Sequence, residues 1–238
     1  MSSRIQVPAH LHSVDGQSGA TYVLDVRSGQ WLVLNSPAAR LWRVVVETGD
    51  VDQGIDVLAA GYASSVVERF RADAHETVRD MFVKRLLITG APAAPRGATS
   101  GRPSGAVRVT TPPRARTAVL GLCSLLLALV LLRLPFRHTV RFVNILTGKW
   151  CTRPVKRSEA LDVVAAVEAA ADHYPGRAAC LERSLGAVIA AAIQRRRLQW
   201  VLGVAEDPSR FHAWVEVEGK IVTRSAESQP AFLRVFSV

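Results

Sequence analysis

YPGRAACLERSLGAVIAAAIQRRRLQWVLGVAEDPSRFHAWVEVEGKIV, Tyr174–Val222, holds a cysteine at the head of a helical pattern and a histidine inside a strand pattern. Pro175 and Gly176 break whatever precedes. From Cys180 the apolar residues run without a further breaker to the Arg195-Arg196-Arg197 cluster, which predicts a buried helix with Cys180 in its first turn. A cysteine there feels the positive end of the helix macrodipole, which favours thiolate over thiol. Trp200–Ala205 (WVLGVA) predicts a strand and Glu206–Arg210 a loop. His212 comes 32 residues after Cys180 and opens an alternating strand. Val215 and Val217 face one way there, and Trp214, Glu216 and Glu218 the other, with Glu216 read as solvent-facing. Gly219-Lys220 predicts a hairpin turn before a further strand at Ile221–Thr223. A cysteine on a helix start and a histidine on a strand form a pair in which imidazole can take the thiol proton. A lone cysteine is more often a small buried hydrophobe, and a lone histidine a surface or satisfied core residue, so spacing alone leaves both readings open.

At 238 residues the chain can fold as one large domain or two smaller ones. Cys123, Cys151 and Cys180 are the cysteines, an odd and sparse set without a CxxC pair, which predicts neither a disulfide framework nor a metal site. No GxxxxGK[ST] or GxGxxG occurs, and no cofactor is expected. MSSRIQVPAHLHS lacks the apolar core of a secretion signal, and a reducing cytosol suits a thiolate, so the expected location is cytoplasmic. The net charge of +10 is concentrated: residues 91–157 carry twelve basic residues and no acidic one, whereas residues 1–90 and 158–238 are each at −1. Such a block attracts anionic lipid, nucleic acid or an acidic partner. Without a helix-turn-helix pattern or aromatic-basic interleaving, no nucleic-acid partner is expected.

Before this block the pattern changes type. Short alternating runs at Leu11, Ala20–Val26 and Gln30–Asn35, punctuated by Asp15-Gly16 and Ser28-Gly29, predict three strands. Ser36-Pro37 then opens a helix, with Ser36 as cap, whose apolar face is Leu41, Trp42, Val45 and Val46. Asp50 opens a second, with Ile55, Leu58 and Ala59. Ser64 or Ser65 caps a third, in which Val67, Phe70, Ala74, Val78, Met81, Phe82 and Leu86 recur at helical spacing.

Residues 91–115, rich in Pro, Gly, Ser, Thr, Ala and Arg and without periodicity, read as a flexible linker. It separates a domain at 1–90 from one at 116–238. Between Arg116 and Arg133 lie sixteen uncharged residues, TAVLGLCSLLLALVLL. That falls just short of the ~17–20 needed to span a bilayer, and predicts a buried or monotopic helix. With the amphipathic segment that follows, peripheral membrane contact through residues 116–150 is a further expectation. Ser158–Asp172 predicts another helix, capped by Ser158.

Two sets of motifs resemble known families. C-L-E-R-S-L at Cys180–Leu185 and H-A-W-V-E-V-E-G at His212–Gly219 closely resemble the transglutaminase-like B proteins of lasso-peptide biosynthesis, over roughly Arg137 to Val222. Those enzymes are cysteine proteases that remove the leader from a ribosomal precursor peptide. S-P-A-A-R-L-W at Ser36–Trp42, with the third helix, resembles the PqqD-like recognition element of ribosomally made, modified peptides (RiPPs). That winged-helix-like module takes up a leader as an added strand on a sheet edge, against its third helix.

The resemblance implies an α+β fold: a three-strand, three-helix PqqD module and a papain/transglutaminase-like domain. It implies Cys180 and His212 as catalytic pair, and Gln30, Leu32, Leu34, Phe70, Asp73 and Val78 as leader contacts. By their apolar periodicity alone, Leu32, Leu34 and Phe70 read as plain core before they read as contacts. In the family an Asp after the hairpin orients the histidine. The matching position here is Arg224, which cannot accept a hydrogen bond, so Glu227 is the candidate in its place. The implied partners are a precursor peptide and an asparagine-synthetase-like lasso cyclase. A leader-binding delivery protein weakened by Arg224, and acyl transfer to an amine, remain alternatives.

Overall fold

The computed structural model describes residues 4–90, 102–108, 115–206, 209–223 and 232–238. Two compact units make up the chain: Met1–Asp25 with Trp31–Ala98, and Val26–Gln30 with Thr99–Val238.

In the first, β1 (Arg4–Gln6) precedes a sheet of β2 (Leu11–Asp15), β3 (Thr21–Asp25) and β4 (Gln30–Leu34), in that spatial order, with β4 an outer strand. Helices α1 (Ser36–Thr48), α2 (Val51–Ala59) and α3 (Ser64–Val83) follow, and β5 (Ile88–Gly90) returns to pair antiparallel with β1. The caps are local chemistry. Asn35, not Ser36, caps α1, its Oδ1 accepting the Ala38 N–H at 3.1 Å, while Pro37 sits in the first turn as read. Asp50 Oδ1 accepts the Gln53 N–H at 3.0 Å and starts α2. No side chain caps α3, whose N-cap position is Ala63 rather than a serine. Gly49 ends α1 with φ of +75° and returns its N–H to the Val45 carbonyl, a left-handed cap open to glycine. Val23, Leu41, Trp42, Val45, Ile55, Val78 and Met81 fill the core between sheet and helices.

In the second unit, β6 (Ala106–Arg108) is followed by α4 (Ala115–Leu131), α5 (Phe136–Ile145), a π-helical turn (Leu146–Trp150) and β7 (Arg153–Pro154). Next come α6 (Arg157–His173), α7 (Cys180–Ile193), β8 (Arg196–Arg197), β9 (Gln199–Glu206), β10 (Ser209–Val217), β11 (Lys220–Thr223) and β12 (Phe232–Ser237). The main sheet runs β12-β9-β10-β11-β6, antiparallel except for β6 beside β11. So part of the stretch read as linker is a strand: Ile221, Val222 and Thr223 pair with Ala106, Val107 and Arg108. Apart from 102–108 and Ala115, that stretch lies outside the described residues.

Helix α7 is apolar on all sides because it is covered on all sides. Residues 184–192 are buried, against the sheet on one side and against α4 and α6 on the other. Small residues set these spacings: a Cβ on Gly121 of α4 would run into the Ala166 carbonyl of α6, and one on Gly186 would lie 3.0 Å from a Val167 methyl. Helix α6 starts one residue before Ser158. The Glu159 carboxylate accepts the Lys156 N–H at 3.0 Å, and Ser158 is an exposed first-turn residue. The β10–β11 turn also shifts by one: Glu218 and Gly219, at φ +53° and +74°, are its two central residues, and Val217 pairs with Lys220. Two successive positive φ values are the signature of a type I′ hairpin, whose twist matches the strands it joins.

Candidate active site

The three polar residues of C-L-E-R-S-L that follow Cys180 and Leu181 each have a structural task. Glu182 Oε2 accepts the Ala179 N–H at 2.9 Å, the reciprocal half of a capping box, and fixes where α7 begins. Arg183 Nε donates to the Ala178 carbonyl at 3.0 Å, and its guanidinium lies 3.5 Å from Asp172 Oδ1 of α6, holding the entering loop. Ser184 Oγ accepts the indole N–H of Trp200 at 2.9 Å and so docks α7 on β9. Cys180 is left half-buried at the first position of the helix. The other thiols differ: Cys123 is exposed on α4, and Cys151 is buried with Sγ 3.3 Å from the Arg196 carbonyl. Burial pushes the Cys151 thiol up, against a smaller opposing pull from Arg197.

His212 lies on β10, where β10 has parted from β11: those strands pair at Glu216 and Val217, and residues 212–215 are paired to β9 alone. The opening is a cleft of about 340 Å³. It is lined by Cys180, Arg183 and Ser184 of α7, Val164 and Glu168 of α6, 212–215 of β10 and 221–223 of β11. Cys180 and His212 therefore border one cavity. Their side chains do not meet in it. His212 lies opposite Gly203, on the same sheet face as Trp214 and Glu216. Helix α7 lies on the other face, that of Trp200 and Val215.

The His212 ring stacks on Phe232 at 4.9 Å and on Trp214 at 6.0 Å between centroids. No hydrogen bond joins it to Cys180 among the described residues. Burial lowers the His212 pKa below its ordinary value, so the ring is neutral at pH 7. Gly203 makes room for the stack. A Cβ there would run into the Trp214 ring and the Leu233 carbonyl.

Glu216, read as solvent-facing, is instead 2% exposed. It takes Arg234 and the Trp214 indole N–H, because its face of the sheet is covered by Trp214, Phe232 and Arg234. Glu227 and Arg224 lie outside the described residues.

The six residues read as leader contacts separate into two groups. Gln30 and Asp73 are exposed, Leu32 is half-buried against the core, and half-buried Phe70 stacks on Tyr62 at 4.4 Å. Leu34 and Val78 are core residues. Reading the sequence for a nucleophile and a base passed over Glu182, Arg183 and Ser184. The glutamate three residues after the N-cap was the available signal. Glu168 gave none, since its place in the cleft depends on how α6 packs.

Among the described residues, no group of three or more His, Cys, Asp or Glu is placed to hold a metal ion, and no helix is long and apolar enough to cross a membrane.

Comparison with known proteins agrees with this division. Residues 124–237 match the family model of the transglutaminase-like superfamily, and residues 21–87 that of coenzyme PQQ synthesis protein D (PqqD). The chain is a PqqD-like module followed by a transglutaminase-like domain, a mixed α+β protein. A solved structure, TbiB1 in complex with the TbiA(beta) leader peptide, aligns over 37% of this chain and 99% of its own length at 20% identity, with a TM-score of 0.32. A likeness that weak carries no inference. No curated protein matches the chain.

Proposed function

We propose that the chain is a leader peptidase of lasso-peptide biosynthesis. In this reading the PqqD-like module holds the leader of a ribosomal precursor, and the transglutaminase-like domain hydrolyses the leader–core bond. One observation carries it: a half-buried cysteine at the first position of a helix and a neutral histidine border the same cleft, inside a segment that matches the transglutaminase-like superfamily. The outer edge of β4, with Leu32, Phe70 and Asp73 accessible, supports strand addition as the binding mode.

In the chemistry, the His212 imidazole leaves Phe232, rounds the edge that β10 exposes where it has parted from β11, and takes the Cys180 thiol proton. The sulfur adds to the scissile carbonyl carbon, whose oxygen becomes an oxyanion. The Cys180 backbone N–H belongs to the first turn of α7 and has no acceptor within the helix, so it donates to that oxyanion. Imidazolium then protonates the departing amine as the C–N bond breaks. Water, deprotonated by His212, attacks the thioester and releases the leader acid and the thiol. A carboxylate holds the second imidazole nitrogen, and Glu227 is the residue assigned. An asparagine-synthetase-like cyclase closes the released core.

Incubating the chain with a lasso precursor, with and without its cyclase, and following leader release by mass spectrometry tests this. Release that vanishes in Cys180→Ala and His212→Ala is the expected result. The stack of His212 on Phe232, away from Cys180, favours a second reading as a delivery protein that binds leader without cutting it. Tight leader binding with no release under any condition would establish that reading and overturn the first.

A further inference from the structure

Helix α4 buries one face and leaves the other bare. Ser124, Leu125 and Ala128 are fully enclosed, and Gly121 approaches the backbone of α6. On the opposite side Val119, Leu122, Leu126 and Val130 are exposed by 65%, 45%, 45% and 63%, with Cys123 and Leu127 beside them. The spacing of three and four makes this a continuous stripe along a helix roughly 25 Å long. From Thr117 to Leu132 no charged residue interrupts it. Isolated exposed leucines need no explanation, but an aliphatic stripe of this extent marks a surface that is covered in use.

Charge says what covers it. Residues 91–157 hold twelve basic side chains and no acidic one, and Arg133, Arg137 and Arg141, just past the stripe, are exposed. The stripe holds no aromatic residue, no methionine and no arginine, the residue types that anchor protein interfaces, whereas leucine and valine are poor hot spots. Aliphatic side chains bordered by guanidinium groups fit acyl chains under anionic headgroups. An interfacial helix normally keeps a polar face toward water, and here α6 and α7 occupy that side. We propose that the exposed face of α4 lies in the interface of an anionic membrane without crossing it.

The test uses the full chain with phosphatidylcholine vesicles, with and without phosphatidylglycerol. An environment-sensitive fluorophore on Cys123, in a Cys180→Ala background, reports insertion. Binding to anionic vesicles only, a blue shift on binding, and loss at high salt are expected. Leu126→Gln with Val130→Gln should weaken binding by about ten-fold or more. Both positions are exposed, so far-ultraviolet circular dichroism should stay unchanged. Absence of binding, or equal binding to neutral vesicles, would overturn the proposal. So would sedimentation of the vesicle-free chain as a dimer that the same substitutions dissolve, because the stripe would then join two copies.

Discussion

Arg234 of β12 grips Glu216 of β10 across the intervening strand, Nε to Oε1 and Nη2 to Oε2, both at 2.8 Å. The Trp214 indole N–H reaches the same carboxylate at 2.7 Å. Strands β10 and β12 are thus tied across β9 through one buried acid, and the tryptophan so held is the one on which His212 stacks. Removing one partner leaves a buried charge uncompensated. Glu216→Ala should therefore cost about 3–5 kcal/mol in urea unfolding, whereas Glu216→Leu combined with Arg234→Met should recover most of that loss. Additive single-mutant costs would show that the two side chains are not coupled.

Glycine spacing gives an independent check on the helical layer. Gly121→Ala places a methyl against the Ala166 carbonyl, with the Val167 nitrogen at 2.9 Å, so backbone must move. A loss of about 1–3 kcal/mol is expected. Gly61 is the control: its nearest atom is 3.7 Å away and its φ is not positive, so Gly61→Ala should be neutral or stabilising by up to about 1 kcal/mol. Equal effects at both sites in thermal unfolding would argue against the close approach of α4 and α6.

Proposed leader contacts should separate by burial. Val78→Ala and Leu34→Ala remove core methyls, and the leucine change should cost about 2–4 kcal/mol of stability. Asp73→Arg alters an exposed side chain on α3, and unfolding should move by less than about 0.5 kcal/mol. If α3 faces the leader, the same change should shift binding of a fluorescent leader peptide by several-fold. Unchanged affinity in Asp73→Arg would remove that residue from the binding surface.

These burial differences also mark how far the sequence could be read. Helices α1 to α3 and strands β2 to β4 were legible because each carries its own periodicity, with Pro37, Gly49 and Asp50 punctuating α1 and α2. The N-cap positions Asn35 and Ala63, by contrast, lie one residue or more before the serines read as caps. Three-residue strands were not. Ala106–Arg108 has no pattern of its own and becomes β6 only because β11 offers an edge, as β1 does for β5. Alternation along β10 placed Trp214 and Glu216 on one face correctly, but it does not say whether a face is covered. That depends on Phe232 and Arg234, brought in from β12. The same limit applies at the site. Motifs pointed to Cys180 and His212, yet the direction of the imidazole follows from strand register and from the absent side chain at Gly203.

The buried imidazole yields a signed pH dependence. Burial depresses the folded-state pKa of His212, so between that value and the unfolded value of about 6.5 the unfolded chain binds the extra proton. The contribution of His212 to stability is therefore complete above pH ~6.5, declines as pH falls below it, and levels off once the folded form is also protonated. His212→Phe keeps a flat ring on Phe232 and cannot titrate. Subtracting its unfolding free energy from that of the parent chain between pH 5 and 8 should leave a curve that rises with pH and flattens near neutrality. If His212 is the base of a thiol hydrolase, the acid limb of kcat/KM should likewise lie below pH ~6.5. A difference curve that falls with rising pH would mean that His212 gains a proton on folding, as an imidazolium paired with an anion, and would place its ring beside a carboxylate or the Cys180 thiolate rather than in the aromatic stack.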